Sequence, residues 1–85
     1  MAEYLLEVYV TRTDTKAVED GTRRARAGAE AAAADGSIVR FVRSIFMPAD
    51  DTCFFLYEAD SPEAIREAAR RAGLPMERVV EARSA

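Results

Sequence analysis

Apolar residues recur along this chain in two periods. Over Glu3 to Val10, EYLLEVYV, the period is two: Tyr4, Leu6, Val8 and Val10 share one phase, and Leu5, Glu7 and Tyr9 the other. The run is rich in β-branched and aromatic residues and too short for an ordinary helix, so it predicts a first strand. From about Thr15 to Ala34 the period lengthens, with small residues at Ala17, Gly21, Ala25, Gly28, Ala29 and Ala32. That spacing predicts a helix capped at Asp14 or Thr15 and ended by Asp35-Gly36. Gly21 and Gly28 each cost such a helix about 1 kcal/mol against alanine, which predicts a close approach to bulky sheet residues. Its polar face carries Glu19, Arg23, Arg24, Arg26 and Glu30, with Glu19–Arg23 and Asp20–Arg24 spaced for ion pairs.

Val39 to Met47, VRFVRSIFM, is the next strand; Pro48 stops it and Ala49-Asp50-Asp51 makes a polar turn. Thr52 to Ala59, TCFFLYEA, completes a hairpin. This strand is apolar on both phases, Phe54 and Leu56 on one and Cys53, Phe55 and Tyr57 on the other. Such a strand belongs in the middle of a sheet with both faces covered. Ser61-Pro62-Glu63 then opens a second helix with an N-cap, a proline at its first position and a carboxylate at the positive end of the dipole. Its buried stripe is Ala64, Ile65, Ala68, Ala69 and Ala72, and Gly73-Leu74-Pro75 closes it. Arg78 to Ala82 is a short last strand.

The order β-α-β-β-α-β predicts one ferredoxin-like α+β domain over residues 1–85, an antiparallel sheet of strand order 4-1-3-2 with both helices on one face. Two helices cover one face only. The apolar second face therefore predicts a homodimer in which two sheets face each other, a pairing of the dimeric α/β barrel type.

Composition narrows the chemistry. Of 85 residues, 12 are Lys or Arg and 15 Asp or Glu, for a net charge of −3, with one cysteine and no histidine. The acidic balance argues against nucleic acid, whose binders carry a basic stripe. The third strand also lacks the basic-glycine-aromatic pattern of an RNA-recognition module. No apolar stretch is long enough to span a bilayer, and the opening Met1-Ala2-Glu3-Tyr4 is unlike a signal peptide, so the expectation is a cytoplasmic protein with no membrane partner. Without histidine there is no Ser-His-Asp triad, Cys-His pair or imidazole switch.

Four groups remain that can carry chemistry. Glu7, Tyr9, Arg43, Tyr57 and Glu81 form a polar set assigned to the mixed sheet face. In that assignment Glu7 shares a phase with Tyr9, Arg43 with Phe41 and Ile45, and Tyr57 with Phe55. With strands 1 and 4 adjacent, Glu7 and Glu81 approach, and Glu7, Arg43, Tyr57 and Glu81 are the candidate catalytic groups for acid–base work on a small substrate. The same residues serve equally as a salt-bridged face that fixes dimer register. Cys53, alone in an apolar strand, reads as a small core residue. Asp50, Asp51 and the nearby Asp60 read as a solvated turn rather than a cation site. Arg23, Arg24 and Arg26, with Arg70 and Arg71, read as solvated helix faces. Met47 and Met76 read as core filling.

The stretch from Val39 to Ala82 resembles a bacterial family of small dimeric ferredoxin-like proteins of unassigned function. The resemblance rests on Arg43-Ser44, Asp51, Cys53-Phe54 and Glu58-Ala59 in order, followed by the helix ending Ala72-Gly73-Leu74-Pro75, with Leu6-Glu7-Val8 fitting the opening strand. One member type is nickel-binding, so the resemblance implies a homodimer that binds a small ligand or a metal ion, nickel or another divalent cation, with no established enzymatic activity. Nickel prefers nitrogen donors, and this chain offers only carboxylates and Cys53. The rival reading is a cofactor-free enzyme of monooxygenase, isomerase or cyclase type, using a cavity between sheet and helices. A third is a partner-docking module with no pocket.

Overall fold

The computed structural model describes residues 1–75 and 78–83. The chain runs β1 (Ala2–Tyr9), α1 (Thr15–Ala34), β2 (Val39–Met47), a 3-10 turn (Pro48–Asp50), β3 (Thr52–Ala59), α2 (Pro62–Ala72) and β4 (Arg78–Ala82). The predicted element order is the observed one. The first strand sits one residue earlier than the alternation implied, although Val10 remains buried. Met47, expected in the core, is instead 41% exposed at the end of β2, and Met76, expected there too, lies outside the described residues.

The sheet order is β2-β3-β1-β4, the expected 4-1-3-2 read from the other edge, and every pairing is antiparallel. β3 is central, as its two apolar phases require. Register decides the faces. Tyr4 pairs with Tyr57, Leu6 with Phe55 and Val8 with Cys53, and all six are buried toward the helices. Leu6 and Phe55 also meet Ile65 and Ala68 of α2 within one apolar core. Burying each large side chain there contributes about 1.5–3 kcal/mol.

The helices begin where their caps demand. The Asp14 carboxylate accepts from Ala17 N–H at 3.0 Å, and the Ser61 hydroxyl accepts from Ala64 N–H at 3.3 Å. Each occupies one otherwise free donor of a first turn. Gly36 and Gly73 both adopt positive φ at the helix ends, 101° and 67°. Ser44 Oγ and Thr22 Oγ1 share a hydrogen bond at 2.5 Å, and Thr22 Oγ1 also donates to Val18 O, tying α1 to β2.

The close approaches of α1 explain its glycines. Gly21 faces the tip of the Phe55 ring on the sheet, as expected. Gly28 instead faces α2, against Ala68 and Ala72, so its partner is the second helix rather than the sheet. Arg23 pairs with Asp20 at 2.5 Å rather than with Glu19, and Asp20 also lies 3.8 Å from Arg24.

Candidate functional site

A β-bulge between Phe41 and Arg43 sets the positions of the candidate groups. Up to Phe41 the inward residues of β2 are Val39 and Phe41; beyond it they are Ser44 and Phe46, opposite Phe55 and Cys53. The extra residue moves Phe41 to the helix side and leaves Arg43 and Ile45 on the open face. Arg43 and Phe41 therefore do not share a face, contrary to the alternation argument.

Glu7 and Arg43 lie on the open face, opposite Phe54 and Leu56. Tyr57 is on the other side, 0% exposed, because it pairs with Tyr4 and Phe41. Glu81 faces the helix side as well, since it pairs with Tyr4, and it lies at the exposed end of the edge strand. The polar set is thus split between the two faces of the sheet. Glu7 instead meets Arg78, its direct partner on β4, at 3.6 Å, and Glu81 meets Arg83 at 2.9 Å. Tyr9 is an exposed side chain at the end of β1.

Tyr57 has the most unusual surroundings of the four. Its ring packs edge-on against Phe41, with centroids 5.5 Å apart, and its buried hydroxyl finds no hydrogen-bond partner among the described residues. Burial pushes its ionisation upward. A phenol that resists ionisation and holds no partner is not poised to exchange a proton.

Cys53 is buried, and burial pushes its thiol up from its ordinary value. It is a core residue. Asp51, at the left-handed corner of the turn (φ 49°), accepts from Arg12 N–H at 2.7 Å, while its backbone carbonyl accepts from Val10 N–H at 2.9 Å. Its role is to hold the β1–α1 connection.

The open face has a continuous apolar centre. Leu56 is only 8% exposed there, and Leu5, Ile45, Phe54 and Val80 lie near it, half-buried. Charged pairs edge this patch: Arg40 with Glu58, and Arg78 with Glu7. Arg43 has no ion-pair partner among the described residues.

On the helix side, a groove of about 390 Å³ runs between α1 and the edge strand β2. Arg26, Ala29, Glu30 and Ala33 form its helical wall; Val39, Arg40 and Phe41 form the other. The Arg26 guanidinium lies 5.2 Å from the centre of the Phe41 ring, in cation–π range. Arg26 and Glu30, expected on a solvated helix face, instead border a groove. The spacing 26, 29, 30, 33 is itself a helical stripe, and it was the available signal.

This architecture is that of a ferredoxin-like α+β domain. A family model described as "Nickel responsive protein SCO4226-like" matches residues 9–82, and the chain belongs to that family. Among solved structures, one described as "Crystal structure analysis of SCO4226 from Streptomyces coelicolor A3(2)" is similar over 99% of each chain, with a TM-score of 0.71 and 21% sequence identity. That likeness supports the fold. No curated protein matches the chain.

The family description raises nickel, and the donors of this chain do not fit it well. There is no histidine. The thiol is buried and pushed toward its protonated form, whereas a metal takes the thiolate. Among the described residues no three carboxylates or thiols gather as a ligand set. No helix among them is long and apolar enough to cross a membrane.

Proposed function

We propose that the protein is a homodimeric binding protein, pairing through the open face of its sheet, and that its ligand is a small molecule or an ion rather than a substrate it transforms. The observation that carries the pairing is Leu56. It lies at the centre of an apolar patch on the face that carries no helix. In a two-fold pairing the same patch meets itself, and the glutamates and arginines at its margin can meet in opposite-charge pairs. Binding is favoured over catalysis because Glu7, Arg43, Tyr57 and Glu81 are divided between two faces.

Light scattering after size exclusion tests the pairing. The expected mass is twice that of the 9.4 kDa chain, falling to one chain in Leu56→Glu. A single-chain mass for the unaltered protein at every concentration overturns it.

A divalent cation is the ligand that the family description brings forward. With the donors of one chain, it would have to be held by carboxylates from two copies. Calorimetry with nickel, cobalt and zinc decides between the ligand classes. A stoichiometric heat per dimer selects the cation; no heat and no melting shift exclude it.

A further inference from the structure

We infer that the groove between α1 and β2 binds a small zwitterion with an apolar body, the chemistry of an apolar α-amino acid, between Arg26 and Glu30. The inference deepens the binding reading and does not depend on sheet pairing, because the groove lies on the helix side and within one chain.

Three observations meet there. The groove volume, about 390 Å³, falls in the range of small-molecule sites. Its walls are apolar: Ala29 and Ala33 on the helix, Val39 and Phe41 on the strand. Two of the three charged residues that line it, Arg26 and Glu30, stand one helical turn apart, yet neither has an ion-pair or hydrogen-bond partner among the described residues. Most of the other arginines do: Arg23, Arg24, Arg66, Arg70 and Arg71 all hold carboxylates. Arg40 also borders the groove, but its guanidinium is engaged by Glu58.

The chemistry of the ligand follows from that pair. A simple carboxylate would gain Arg26 but meet the negative charge of Glu30. A simple amine would meet the reverse. A molecule carrying an ammonium and a carboxylate on one carbon satisfies both side chains and leaves its apolar part to the alanine, valine and phenylalanine walls. Phe41 holds the guanidinium at its ring face, which orders Arg26 before a ligand arrives.

Amide chemical-shift titration with L-leucine tests the site, using leucinamide and N-acetyl-leucine as probes that each lack one charge. The expected result is saturable shifts confined to the groove, with each single-charge probe binding at least roughly tenfold more weakly, the value of one lost charge-assisted hydrogen bond. Arg26→Gln and Glu30→Gln should each weaken L-leucine by a similar factor. Ala33→Trp, an exposed position at the groove, should block it, and Arg66→Gln on the exposed face of α2 should leave it unchanged. Measuring Leu56→Glu beside them separates loss of pairing from loss of the groove. Absence of saturation with L-leucine overturns the inference. So does equal binding of either single-charge probe, or unaltered binding in Arg26→Gln and Glu30→Gln.

Discussion

A Cβ added to Gly28 would come within 2.8 Å of the Cβ of Ala72, closer than carbon atoms can pack. The two helices cross at this point, with the Ala68 carbonyl oxygen closer still, and both are backbone or near-backbone atoms that cannot swing away. Gly28→Ala gains about 1 kcal/mol of helix propensity and loses about 1–3 kcal/mol to overpacking. The expected outcome is net destabilisation in denaturant unfolding. A more stable Gly28→Ala would show that the helices can separate freely.

Tyr57→Phe is the opposite case. The hydroxyl is buried without a partner, and the ring makes the contacts. An unpaired buried polar group costs about 1–3 kcal/mol, so its removal should leave stability unchanged or raise it by about that much. Thermal melting measures this, and a loss beyond about 1 kcal/mol would mean that the hydroxyl has a partner in solution.

Cys53 should be chemically quiet. Its burial raises the thiol pKa and closes access. Alkylation by iodoacetamide at pH 8 is expected to be slow in the folded protein and fast in denaturant. Rapid modification of the native chain would contradict the packed β3 core.

Glu67 carries an acid-side dependence. It accepts from Arg70 Nη2 and Arg71 Nε, each at 2.6 Å, and these arginines hold its carboxyl below the ordinary glutamate range. Its folded value lies below its unfolded one. Its contribution is therefore complete above the unfolded value and lost as pH falls through the folded value. The melting difference between the unaltered protein and Glu67→Gln should shrink as pH is lowered through that range. A difference that grows on acidification would reverse the assigned sign.

How much of this was readable from the chain divides along a physical line. The second helix was legible to the residue, because Ser61, Pro62 and Gly73 are local signals whose geometry is set by their own backbone. The central place of β3 was legible because Phe54, Phe55, Leu56 and Tyr57 fill both phases. The facing of Tyr57 and Arg43 was not, since it depends on the pairing of β3 with β1 and on a bulge at Val42 that no glycine or proline announces. One inserted residue reverses parity for the rest of the strand. The groove was hidden for a similar reason. Arg26 and Glu30 resemble any exposed helical pair until β2 is laid beside them.

That same bulge bears on how the molecule survives in a crowded solution. β2 is an edge strand nine residues long, with one side of its backbone open, and a long flat edge invites other chains to add strands without limit. The interruption between Phe41 and Arg43 breaks the ladder a third of the way along, so an incoming strand would find no continuous register to follow. The irregularity that divides the candidate groups is thus also a guard against fibril growth.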